Sequence, residues 1–214
     1  MSNLRSGTYG NYYGSYFNES APLNAEQMQT NARYIYLGLT IAGWTQESIA
    51  AILGNMEAES TINPGRWQTE SVGDISLGYG LVQWTPSTKY TGWCEENNRS
   101  DPSEMDNALA RIIYEVENGL QWIATSAHNM SFSEFTKSTA APATLAVAFL
   151  LNYERPADQS QSVREYRGSL AEKWYTYLTG QDPTPPDQPG TGGSQTKRKK
   201  KYNFVLFGKK VWRQ

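Results

Sequence analysis

The sequence predicts a mainly α fold of the α+β type: a helical bundle around a central helix near 102–124, with a small loop or β-hairpin wall near 66–83. Three observations predict it. Apolar residues recur at helical spacing in successive stretches. Recognisable start and stop residues bracket those stretches. A glycine-spaced aromatic run, Gly78-Tyr79-Gly80-Leu81-Val82-Gln83-Trp84, interrupts the helical pattern. At 214 residues the chain fits one domain with appendages.

Residues 1–22 are rich in Gly, Tyr, Ser and Asn without apolar periodicity, which predicts a flexible N-terminal arm. Asn24 opens the first helix, with Met28, Ala32, Ile35 and Leu39 inward and Gly43 at its end. Thr45 caps a second helix, with Glu47 near its positive end and Ile49, Ile52, Leu53 and Met56 as its buried stripe. A short helix is expected over 89–96. Asp101-Pro102-Ser103-Glu104 has the form of an N-cap, a proline at N1 and a glutamate at N3. The long stripe Met105, Leu109, Ile112, Ile113, Val116, Leu120 and Ile123 then makes this the expected central core helix. Residues 125–141 read as a loop with a helical turn near Phe132–Phe135. Pro142 opens a helix that Pro156 stops, and a last helix near 163–178 ends at Gly180. The folded body is therefore 23–180. A Pro/Gly linker over 181–196 and a basic tail over 197–214 follow.

Net charge is −2, but the tail holds eight Lys/Arg and no acid. Taking those eight from 19 leaves 11 basic residues against 21 acids in the rest, net −10. An acidic body with a basic tail implies that the tail has its own partner, an anionic envelope or a neighbouring particle protein. No nucleic acid is expected. There is no run of 18 apolar residues, so no membrane span is expected, and the N-terminus lacks a hydrophobic signal core. One cysteine and one histidine allow neither an internal disulfide nor a His/Cys metal cluster, so no metal site is expected. A Ser-His-Asp triad would have to use the loop residue His128, and Cys94 reads as a small buried hydrophobe. Hydrolytic chemistry is left to carboxylates.

The carboxylates that matter lie in 53–90. Glu59 stands at the end of the second helix, followed by Ser60 and the break Asn63-Pro64-Gly65. At 100° per residue, Glu59 and Glu57 flank the apolar stripe by roughly 70° and roughly 90° on opposite sides. Helical geometry alone does not choose between them, but Glu59 is nearer the break where a cleft can open.

Gly54-Asn55-Met56-Glu57-Ala58-Glu59-Ser60-Thr61-Ile62-Asn63-Pro64-Gly65, the Gly78–Pro86 run, and Ala148-Phe149-Leu150-Leu151-Asn152-Tyr153-Glu154-Arg155-Pro156 closely resemble, in this order, the lysozyme domain of bacteriophage tail proteins. Those domains are similar to the wider lysozyme and lytic-transglycosylase group. The resemblance spans roughly 24–180. It implies a lysozyme-like catalytic domain acting on peptidoglycan, with Glu59 as catalytic acid and Gln83 and Tyr153 facing the cleft. Ser60, Tyr79 and Trp84 are further candidates for substrate binding, with core packing equally open for Trp84. It implies no cofactor. The loop near 66–77 would form one wall of the cleft, and its acids Glu70 and Asp74 are candidates for a second carboxylate. Hydrolysis, transglycosylation to a 1,6-anhydro product and non-catalytic glycan binding stay open. The resemblance also implies a virion component in the phage tail acting on the host cell wall, more than a free endolysin. Other tail proteins would be met through the N-terminal arm or the basic tail.

Overall fold

The computed structural model describes residues 2–180; the expected linker and basic tail lie outside the described residues. A two-stranded antiparallel hairpin, β1 (Asn3–Gly7) and β2 (Gly10–Gly14), precedes seven α-helices. These are α1 (Ala25–Ile41), α2 (Gln46–Ser60), α3 (Thr88–Glu96), α4 (Met105–Glu117), α5 (Phe132–Lys137), α6 (Pro142–Phe149) and α7 (Gln161–Thr179). The fold is mainly α, as the sequence predicts. No helix among the described residues is long and apolar enough to cross a membrane.

The caps follow the sequence. Asn24 and Gln27 close a reciprocal capping box on α1, Thr45 accepts from the Ser48 backbone at the start of α2, and Ser131 and Glu134 form a second box on α5. Pro142 stands at the start of α6. The start of α4 differs. Asp101 accepts from both the backbone N–H and the hydroxyl of Ser103, making a turn, and the helix begins only at Met105.

Two other expectations are corrected. The helix of 102–124 stops at Glu117, because Asn118-Gly119 terminates it with Gly119 at φ 61°. Leu120 and Ile123, which extend the stripe on paper, lie beyond that stop, and Ile123 is 60% exposed. The enclosed helix is α2, packed against α1, α6 and α7, with every residue from Ser48 to Met56 buried. A helix covered on all sides has no polar face, so its pattern is less periodic than that of the one-sided α4.

The expected flexible arm is instead ordered and packed. Tyr9 and Tyr12 meet the Tyr34 ring edge-on at 5.4 and 5.3 Å, and the Tyr34 hydroxyl donates to Asp106 at 2.5 Å. Arg5 pairs with Asp101 at 2.7 Å. Further on, Phe17 packs edge-on against Trp67 and Tyr79, and Trp67 donates its indole N–H to the Phe17 carbonyl at 2.7 Å. Tyrosine edges and partners some hundred residues away hold this segment, and neither leaves an apolar period in the local sequence.

The α2–α7 crossing is set by Gly54. A Cβ there would stand 2.6 Å from the Ala171 backbone nitrogen and 3.0 Å from its Cα. In an isolated helix Gly54→Ala would gain about 1 kcal/mol. Here the clash is with backbone, and overpacking typically costs about 1–3 kcal/mol. Net destabilisation is expected, read as a lower thermal midpoint than wild type.

Candidate active site

Helix α2 ends immediately after Glu59-Ser60. Thr61 and Ile62 both take left-handed backbone conformations, φ 54° and 56°, and their N–H groups cap the carbonyls of Glu57 and Met56. A β-branched residue at positive φ is strained. Ile62 is held there because its side chain is buried and its carbonyl accepts from Asn31 at 2.8 Å. The reversal leaves Glu59 on the lip of a cleft of about 540 Å³, with its side chain 23% exposed. Glu57, on the other flank of α2, is paired with Lys173 at 2.5 Å and accepts from the Trp174 indole at 2.7 Å, rather than being a solvated charge.

One wall of the cleft is the segment Arg66–Thr69 together with Val82–Thr85, and Lys89 of α3 adds to it. Antiparallel bridges join Trp67 to Tyr79 and Tyr79 to Trp84, while Gly80 at φ 84° and Gln83 at φ 49° fold the run back on itself. Beneath it Trp67, Tyr79, Tyr90 and Trp84 form a continuous aromatic pile, with Trp84 stacked on Tyr90 at 4.4 Å. The opposite wall is Gln121 with Tyr153–Ala157. Here α6 widens into a π-turn, Leu150–Glu154, closed by Arg155 in the left-handed region at φ 50°.

Glu59, Gln83, Trp84 and Tyr153 all line this cleft. Gln83 donates to the carbonyls of Arg66 and Gly80 at 3.0 and 2.9 Å, and its buried side-chain oxygen has no protein donor. Ser60 and Tyr79 are placed elsewhere. The Ser60 hydroxyl is buried and reaches the carbonyls of Met56 and Leu81 at 3.0 and 2.8 Å, tying the wall to α2. Tyr79 is fully buried in the aromatic pile. Neither side chain lines the cleft.

The loop acids also stand off the cleft lining. Glu70 is 62% exposed and reaches Arg66 at 3.5 Å. Asp74 is exposed and caps its own turn, accepting from the Ser76 backbone and hydroxyl, which lower its carboxyl below the ordinary range.

Two other carboxyls belong to the site: Glu115, which the sequence does not single out, and Glu154, which stands in the third matched segment without a role in catalysis. Glu115 of α4 is buried and accepts from the Trp84 indole at 3.0 Å, Arg111 at 2.9 Å and the Tyr153 hydroxyl at 2.5 Å. The Tyr153 hydroxyl thus serves Glu115 and not Glu59. Burial pushes the Glu115 carboxyl up from its ordinary 4.5, against the lowering effect of its three donors.

Glu154, at the end of the π-turn, is 5% exposed. Among the described residues, neither of its carboxyl oxygens has an N–H or O–H donor within hydrogen-bond reach. Arg167 of α7 is in direct contact with Glu59, lies 3.7 Å from Glu154 and donates to the Asn55 carbonyl at 2.8 Å. Burial, then the neighbouring Glu59 charge, raises Glu154 well above the ordinary carboxyl range. A Glu154–Arg155 ion pair, the natural reading of that dipeptide, does not form: Arg155 donates to the carbonyls of Gln121 and Asn152, both at 2.6 Å. Cys94 is buried and its thiol is pushed up to about 11, the opposite of an activated nucleophile.

A family model described as phage tail lysozyme matches residues 30–178, which hold every cleft residue named above. The chain belongs to the phage tail lysozyme family. It is also 47% identical over 169 residues to Morphogenesis protein 1 of Bacillus phage B103. That alignment covers 79% of this chain and 45% of the relative, so the chain spans less than half the length of that protein. The β1–β2 hairpin lies before the span of the family match.

Tyr153→Phe removes one of three donors from the buried Glu115 carboxyl. A loss of about 1–3 kcal/mol is expected in urea unfolding near neutral pH. Because the folded Glu115 holds its proton more tightly than the unfolded chain does, its stabilising share is complete below 4.5 and fades as pH rises. The variant makes that difference larger, so its deficit against wild type should shrink toward pH 4.

Proposed function

We propose that this phage tail lysozyme is a muramidase, cleaving the β-1,4 bond between N-acetylmuramic acid and N-acetylglucosamine in peptidoglycan. The observation that carries the reading is Glu59, a half-sheltered carboxyl on the lip of a cleft whose other wall is built of aromatics and amides. Glu59 would give its proton to the bridging oxygen as the C1–O bond breaks. Water would then add to C1 and return a proton to Glu59. Gln83 and Trp84 line the cleft but are largely buried, so they support the wall that the sugar would meet, while Gln68, Thr69 and Thr85 add polar groups to it.

The family and the phage relative support a role in the virion, at the tail, acting on the wall of the host. Peptidoglycan is the partner proposed, with other tail proteins as neighbours. A second reading, lytic transglycosylation, is favoured by one observation: neither Glu70 nor Asp74 lines the cleft. An enzyme of that kind needs one acid and uses the 6-hydroxyl of the sugar in place of water.

Purified peptidoglycan digested with wild type and with Glu59→Gln should separate these. Muropeptides with free reducing ends, released roughly 10²–10⁴ times more slowly by the variant, are expected. Anhydro products would establish the second reading, and equal release by both proteins would remove Glu59 from the mechanism. Glu70→Gln and Asp74→Asn should release the same products at rates within about threefold of wild type, in keeping with substitutions at exposed sites.

A further inference from the structure

The role of Glu59 as an acid leaves one question open within the cleft: where its proton comes from while Arg167 is paired with it. Glu154 answers it. We propose that Glu154 is a positioning residue for Glu59: it keeps a proton in the cleft and hands it to the Glu59 carboxylate, which faces the substrate. The inference rests on the reading of Glu59 as general acid.

The geometry is specific. Glu154 lines the same cleft as Glu59, yet its two oxygens are shut off from solvent and from every N–H and O–H donor of the described residues. A carboxylate so placed, with a guanidinium no nearer than 3.7 Å, is poorly compensated. A neutral carboxyl is not, and its one O–H can be directed at Glu59. Burial, and then the charge of the neighbouring Glu59, favour the protonated form of Glu154. Glu59 is the more exposed member and Glu154 the sheltered one.

Among the described residues, the charged groups that line the cleft fit this division. Glu59 comes from α2 and Arg167 from α7, while Arg66 and Lys89 belong to the far wall. On the π-turn itself, Arg155 is turned to the Gln121 and Asn152 carbonyls and Tyr153 to Glu115. In the transfer the Glu154 O–H bond breaks and a Glu59 O–H bond forms. The electron pair stays on Glu154, and its new charge faces Arg167. After Glu59 protonates the bridging oxygen, the proton released by the attacking hydroxyl or water returns by the same route.

The test compares pH profiles of peptidoglycan cleavage for wild type, Glu154→Gln and Glu154→Met, with folding checked by circular dichroism. Gln keeps the shape and can donate to Glu59 but cannot release a proton. Met fills the buried site with an apolar chain, so a folded comparison is available if Gln is not tolerated. A fall in kcat of roughly 10- to 100-fold with little change in KM is expected. The alkaline limb should move to lower pH, because the proton that wild type retains on Glu154 is gone. Infrared difference spectra of wild type against either variant near neutral pH should show a protonated carboxyl that only wild type has. A wild-type rate and an unmoved alkaline limb in a folded variant would overturn the proposal, as would the absence of that carboxyl band. Glu59→Gln separates the two readings: if it is active, the acid assignment fails, and if it is dead while Glu154→Gln is normal, only the relay fails.

Discussion

The approach of α2 to α7 at Gly54 and Ala171 governs both the core and the cleft. The missing side chain lets α7 close on α2, and Arg167, one turn before Ala171 on the same face, is thereby brought to the end of α2. There it takes the Asn55 carbonyl, contacts Glu59 and approaches Glu154. A guanidinium can do this because its donors fan out in a fixed plane and serve several acceptors at once. One backbone distance therefore sets the position of the only cation that contacts the candidate acid among the described residues.

The cleft wall is organised by a second hub. Glu115 joins Trp84 of the wall, Tyr153 of the π-turn and Arg111 of its own helix, so that three separately folded segments meet on one carboxylate. Ser60 adds a further tie from α2 to Leu81. The N-terminal segment completes the support, since Phe17 closes the outer edge of the Trp67–Tyr79 pair. These are interactions between elements, and a rigid cleft follows from their number rather than from the strength of any one of them. Positioning within a fraction of an ångström is what proton transfer to a bridging oxygen demands.

Much of this was legible in the residues, and the rest was not for identifiable reasons. Caps such as Asn24, Thr45 and Pro142 act within one turn, so a linear reading finds them. The place of Glu59 at a helix end was legible because Asn63-Pro64-Gly65 marks the break just after it. Asp101-Pro102-Ser103-Glu104 misled because an Asx turn and an N-cap use the same residue types. Leu120 and Ile123 keep the helical period past a point where Asn118-Gly119 has already ended the helix. The hairpin at 3–14 depends on Tyr34, Asp101 and Asp106, none of which is near in sequence. Ser60 and Tyr79 are buried behind the cleft lining, and sequence spacing does not distinguish a residue that builds a cleft wall from one on its surface.

The burial of Glu115 and Glu154 was hidden for the same reason, but the two are opposites in physical terms. Glu115 accepts three hydrogen bonds, which offset much of the cost of removing a carboxylate from water. Its partners explain its presence. Among the described residues Glu154 has no such set: its oxygens lack donors, the Arg167 guanidinium is 3.7 Å away, and the charge of Glu59 lies beside it. As a fixed anion it would be worse than a methionine or leucine of similar size, since an unpaired buried charge is expensive and an apolar side chain is not. A carboxyl in such a place makes sense as a neutral acid that ionises only when its proton is needed. That is the property a half-sheltered Glu59, already paired with Arg167, lacks by itself.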